Sequence, residues 1–175
     1  MSLDLTRPFL PLQIVIFTIS DSRTTATDYS GSYLCKAAKE AGHIIQDYAI
    51  ITDDLEQIAV ALQETSQRDD VDAIICTGGT GLTGRDVTPE AFARVVKKWI
   101  PGFGELFRYL SWQKIGTSTI QSRATAGIAN GSLLFALPCQ RVGVKASWLS
   151  EGVKAYGFVA WFRAFAHGLG LSRTH

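Results

Sequence analysis

The chain has 175 residues, 46% of them hydrophobic and 19% charged, and a formal net charge of +1. That length suits one domain with a substantial core, and that charge balance gives no electrostatic footprint for nucleic acid, where a strongly basic face is expected. Cys35, Cys76 and Cys139 are widely spaced with no CxxC pair, so we expect reduced cysteines of a cytoplasmic protein, not a disulfide frame or a zinc site.

Residues 1–13 read as an N-terminal arm and 14–175 as a single domain. The apolar run at 14–19 is a first strand and not a signal peptide. Asp4 precedes it, Pro8 and Pro11 interrupt its approach, and Ser20-Asp21-Ser22-Arg23 follows where a small-residue cleavage site would stand. The longest apolar stretch, 155–171, is broken by Arg163 and His167 and is not a membrane span. Residues 20–32 have loop composition, and Tyr33, Leu34, Ala37, Ala38 and Ala41 recur at helical spacing before Gly42. Residues 43–51 predict a second strand, followed by Thr52-Asp53-Asp54 and a helix over 55–67 with Leu55, Ile58, Ala59 and Leu62 on one face.

Val71, Ala73, Ile74, Ile75 and Cys76 then predict a third, buried strand. It runs into Thr77-Gly78-Gly79-Thr80-Gly81, a turn able to aim several N–H groups at one point. Beyond it Thr88 suits an N-cap, Pro89 the first helical position and Glu90 the positive helix end. Phe92, Val95, Val96 and Trp99 form the buried stripe of that helix. We expect a turn at 102–105, a short helix over 106–112, a small-residue helix over 124–129 and a last strand over 133–137. Strands alternating with crossover helices predict an α/β, three-layer, doubly wound and mostly parallel sheet, whose ligand crevice lies at the carboxyl ends of the strands. Ser20-Asp21, Thr52-Asp53 and the glycine loop should therefore share one rim.

Strand, glycine loop and helix N-terminus in that order make a place for phosphate or another anion. Gly79-Thr80-Gly81-Leu82-Thr83-Gly84 matches the dinucleotide pattern G-x-G-x-x-G, but it follows the third strand and no second strand ending in an acid follows it. A P-loop match fails as well, because Arg85 replaces the lysine and Asp86 the magnesium-binding hydroxyl. An Asp at that place repels phosphate unless a cation lies between, and magnesium takes one or two protein carboxylates together with water and phosphate oxygens. Asp86 and Asp53 are the candidates for that role. Their alternative role is structural, as a helix N-terminal charge and a helix cap.

The phrases TGGTGLTGRDVTPEA, GFGELFRYLS, IGTSTIQSRATAG and LLFALP, in this order between residues 14 and 138, resemble the molybdenum-cofactor biosynthesis family of the MoaB and MogA type, which includes the G domain of gephyrin. IGTSTIQSRA is closer to the MoaB branch. The resemblance implies the molybdopterin-binding, MogA-like fold and assembly as a homotrimer or dimer of trimers. It implies a nucleotidyltransferase that moves AMP from Mg-ATP to the terminal phosphate of molybdopterin, or a MoaB-like molybdopterin binder with little or no such activity. ATP and molybdopterin are then the small-molecule substrates and Mg2+ the cofactor, with neither nucleic acid nor membrane as partner. Carried onto this chain, Asp86 and Asp53 serve metal and nucleotide chemistry. Gly78, Gly79, Thr80, Gly81, Ser20 and Asp21 form the cradle, and Glu105, Ser118, Ser122 and Arg123 are further pocket members.

The pattern departs from the family at 137–142, where Leu-Pro-Cys-Gln-Arg-Val replaces a Leu-Pro-Gly-Ser turn. From 139 onward Glu151 is the only acidic residue, and Trp148, Tyr156, Phe158, Trp161, Phe162 and Phe165 gather. We expect this atypical aromatic segment to contact a second subunit or to pack in the core.

Overall fold

A computed structural model describes residues 9–138, excepting the Lys114 side chain. The expectations for the arm before residue 9, for the turn at 139–142 and for the aromatic segment lie outside the described residues.

β-Branched and apolar residues at consecutive positions make β1 (Gln13–Ile19), β2 (Ile44–Ile51) and β3 (Ala73–Thr77). α1 (Tyr29–Glu40) and α2 (Leu55–Ser66) cross between them. α3 (Thr88–Val95), β4 (Lys98–Trp99), α4 (Pro101–Ile115), a 3-10 helix at Gly116–Gln121, β5 (Thr125–Ala129) and β6 (Ser132–Leu137) follow. The sheet order is β2-β1-β3-β6-β5-β4. β2, β1, β3 and β6 pair in parallel, and β5 pairs antiparallel with both β6 and β4. The sheet is mixed but mostly parallel, as expected.

Alternate strand residues supply two cores. Ile14, Ile16, Ile75 and Phe135 pack with Leu34 and Ala38 of α1 and Phe103 of α4. Val15, Phe17, Ile74 and Leu134 pack with Ile58 and Leu62 of α2 and Phe92 and Val95 of α3. This period-two division puts helices on both faces and makes three layers. Full burial of each large side chain contributes about 1.5–3 kcal/mol.

The register decides where the loops go. Thr18 stands beside Ile50 and Thr77, and Thr77 stands beside Leu137. The carboxyl ends of β1, β2, β3 and β6 are therefore level, and the segments leaving them meet on one rim.

Four local expectations are corrected. Residues 124–129 are not a helix: Thr125–Ala129 form strand β5. Gly127 lies so close to the segment running from α3 into β4 that an added Cβ would be 2.3 Å from Val96 Cγ1 and 3.0 Å from the Lys98 carbonyl oxygen, so the small residues serve close packing and not helix formation. α4 starts at Pro101, which suits a first helical turn, and takes in the expected turn at 102–105; Gly104 faces the residue before β5, where an added Cβ would lie 2.6 Å from the Ala124 carbonyl oxygen. Thr88 is the first residue of α3 and not its cap; its hydroxyl donates to the Gly78 carbonyl at 2.9 Å. Trp99 leaves the α3 stripe for edge strand β4 and is 47% exposed.

Candidate functional site

Where β3 ends, Gly78 and Gly79 adopt φ of +113° and +60°, conformations that L side chains rarely take. Both positions are also crowded. A Cβ at Gly78 would lie 2.3 Å from the Ile19 carbonyl oxygen, and one at Gly79 would lie 2.3 Å from Thr88 Oγ1 and 2.8 Å from Asp53 Oδ1. The turn is pinned from three sides. Gly78 N–H donates to Leu137 O at 3.0 Å, Thr88 N–H to Gly79 O at 2.9 Å, and Arg123 N–H to Thr80 O at 3.2 Å.

Asp86 closes the loop on itself. Its carboxylate accepts the Thr83 N–H at 3.0 Å, the Thr83 hydroxyl and the Gly81 N–H. Burial pushes its pKa up, but these donors and the nearby Arg123 guanidinium outweigh burial and hold Asp86 below the usual carboxylate range.

Asp53 is perturbed the other way. Asp54, not Asp53, caps α2 by accepting the Gln57 N–H at 2.9 Å, which leaves Asp53 facing the glycine loop. Its Oδ1 is buried and has no hydrogen-bond partner among the described residues. Burial raises its pKa, the Val87 N–H opposes that, and the charges of Asp86 and Asp21 raise it further. Asp21 joins the loops: its carboxylate accepts the Asp53 N–H at 3.0 Å and pairs with Arg85.

These loops border an open cleft of about 810 Å³. Ser20, Asp21, Asp53, Gly78, Gly79, Thr80, Gly81, Asp86, Ser118 and Ser122 all line it, so most of the site expected from sequence comes together. Two expected members do not line the cleft. Glu105 is exposed on the first turns of α4. The Arg123 guanidinium lies behind the glycine loop, with Nε donating to Gly81 O at 2.7 Å. The opposite wall adds Phe107, Ser111 and Ile115. No motif marks them along the chain, although their i, i+4, i+8 spacing defines one face of a helix. Among the described residues no group of three or more His, Cys, Asp or Glu side chains could hold a metal ion. A cation at Asp53 and Asp86 would take the rest of its shell from water and bound ligand, which is the habit of magnesium. The unpartnered Asp53 oxygen fits that use.

Fold and cleft together define an α/β protein with a glycine-rich loop and two carboxylates at the carboxyl edge of its sheet. More particularly, the chain belongs to the family described as "probable molybdopterin binding domain", whose model matches residues 15–155. That match extends beyond Pro138, where the sequence motifs end. Molybdenum cofactor biosynthesis protein B of Escherichia coli K12 is 44% identical over 140 residues, covering 80% of this chain and 82% of that protein. Its counterpart in Bacillus anthracis is 47% identical over 124 residues, covering 70% and 73%. A crystal structure of a molybdenum cofactor biosynthesis protein B superposes with a TM-score of 0.75 at 38% identity, covering 89% of this chain and 97% of that one. The tungsten cofactor synthesizing protein MoaB from Pyrococcus furiosus gives a TM-score of 0.70 at 30% identity, covering 88% and 97%. Among the described residues no helix is long and apolar enough to cross a membrane.

Proposed function

We propose that this protein acts in molybdenum cofactor biosynthesis in the cytoplasm, as a Mg-ATP-dependent adenylyltransferase acting on molybdopterin. The observation that carries the proposal is the pairing of a self-satisfied, ionised Asp86 with an Asp53 oxygen that has no protein partner, both beside a loop of positive-φ glycines. A terminal phosphate oxygen of molybdopterin bonds to the α-phosphorus of ATP. The bond from that phosphorus to the β-phosphate bridge breaks, and pyrophosphate leaves.

The chain's part is positioning and electrostatics. In the glycine cradle the N–H groups of Gly79 and Thr80 would orient phosphate oxygens, those of Gly78 and Gly81 being spent on Leu137 and Asp86, and Asp53 and Asp86 would hold Mg2+. Bound there, the ion would neutralise phosphate charge. Ser20 and Asp21 on one side, and Ser118 and Ser122 on the other, offer polar groups to fix the two substrates. The protein assembles as a homotrimer or a dimer of trimers, which sedimentation of the full chain decides.

One observation favours a second reading, a molybdopterin binder without transferase activity: Asp86 already accepts three hydrogen bonds from its own loop. Incubation with molybdopterin, ATP and magnesium separates the two. Pyrophosphate and adenylylated pterin are expected, and pterin binding without pyrophosphate rejects the transferase.

A further inference from the structure

Arg123 was expected among the ligand contacts, yet its guanidinium is turned to protein. Nε donates to the Gly81 carbonyl at 2.7 Å, Nη2 to the Asp86 carbonyl, and Nη1 pairs with Glu90 at the start of α3. Its own N–H holds the Thr80 carbonyl at 3.2 Å. One residue thus ties down carbonyls at both ends of residues 80–86. The residues flanking it are gripped from the other direction. Arg108 of α4 donates from Nη1 to the carbonyls of Ser122 and Ala124 at 3.3 Å, and its own carbonyl accepts the Thr119 hydroxyl at 3.2 Å.

We propose that Arg123 is a positioning residue that clamps the glycine loop and couples it, through residues 122–124 and Arg108, to the α4 wall of the same cleft. A guanidinium suits this because its planar fork reaches several acceptors in fixed directions, which an ammonium cannot do. With the carbonyls of Gly81 and Asp86 drawn toward Arg123, the loop is held in the closed form in which Gly81 and Thr83 donate to the Asp86 carboxylate at the edge of the cleft. Arg123 also places a positive charge beside Asp86 without lining the cleft. The catalytic consequence rests on the adenylyltransferase reading, whereas the structural one does not.

Amide hydrogen exchange on the full chain tests the clamp directly. In Arg123→Ala and in the milder Arg123→Lys, exchange at residues 80–86 should quicken about tenfold while β1 and β3 stay protected. Added guanidinium ion should slow it again in the alanine variant, and methylammonium should not. In turnover assays, kcat should fall at least about tenfold with KM for ATP changed less than about threefold, because a misplaced loop costs alignment more than binding. Unchanged exchange at 80–86 in both variants overturns the clamp, and so does a uniform rise across the sheet. If the unmutated protein makes no pyrophosphate, the transferase reading fails and the exchange arm still decides the clamp. If it makes pyrophosphate and loop exchange is unmoved, the clamp alone fails.

Discussion

Asp53 and Asp86 face one cleft with opposite perturbations: Asp86 is held below the usual carboxylate range by Thr83 and Gly81, while Asp53 is raised by burial and by Asp86 itself. Each carboxylate helps explain the other. Hydrogen-bond donors collect on Asp86, and the unsatisfied oxygen is left on Asp53, where a cation, if bound, would relieve both burial and repulsion.

If that cation serves the reaction, Asp86→Asn lowers turnover roughly a thousandfold, the scale of losing a preorganised electrostatic contact. The amide oxygen still accepts from Thr83, so the fold survives with a loss of about 1 kcal/mol. Pterin binding is largely preserved. Pyrophosphate release measured beside pterin titration checks this, and unaltered turnover would remove Asp86 from the mechanism.

Asp53→Asn should raise stability at neutral pH. The folded pKa lies above the ordinary 3.8, so the folded state binds the proton more tightly and ionisation at higher pH opposes folding. That cost is complete above the folded pKa and fades as pH falls toward 3.8. Melting temperatures from pH 3 to 8 should show the Asn variant ahead only at the upper end. Magnesium should raise the melting temperature of the unmutated chain and do so less in the variant.

Gly79→Ala combines a positive φ with a Cβ placed against Thr88 and Asp53. A loss of about 2–4 kcal/mol is expected in denaturant titrations. Because relief of the clash moves Asp53, turnover should fall about a hundredfold even where the variant is fully folded.

Asp28 is a buried anchor away from the cleft. It caps α1 through the N–H groups of Ser30 and Gly31 at 3.1 and 3.0 Å, and accepts the hydroxyls of Thr18 and Tyr48, each at 2.5 Å. Asp28→Ala should cost about 2–4 kcal/mol at pH 7. Burial pushes Asp28 up, but these donors leave it below 3.8. Its contribution is therefore complete above pH 3.8 and lost as pH falls through the folded value. In acid unfolding, the gap between the unmutated chain and Asp28→Asn should close below pH 3.8. Tyr48, pushed up to about 12 by burial and then by Asp28, behaves in the opposite sense. Its contribution is complete below pH 10 and fades from there toward 12, so the gap to Tyr48→Phe should close in that window.

The alternation of apolar runs with helical spacing carried β1, β2, β3, β6, α1 and α2 in the sequence, because those elements bury one face or both. β5 and α4 escaped it for a shared reason. Gly104 and Gly127 are small because α4 and β4 press on β5 and the residues just before it. Along the chain such glycines look like turn or helix-break signals, and only the approach of a second element shows that they permit contact.

The site divides along the same line. By itself the sequence determined which groups gather there: a strand, a glycine-rich loop, and acids at Asp21, Asp53 and Asp86 following strands, since local spacing and residue type set where strands end and loops begin. Only the tertiary structure decided direction. It assigned the cap of α2 to Asp54 and so released Asp53, turned Arg123 to the back of the loop, and brought Phe107, Ser111 and Ile115 to the facing wall. These outcomes depend on competition among donors and acceptors far apart in the chain, which is resolved only when the sheet sets the ends of its strands side by side.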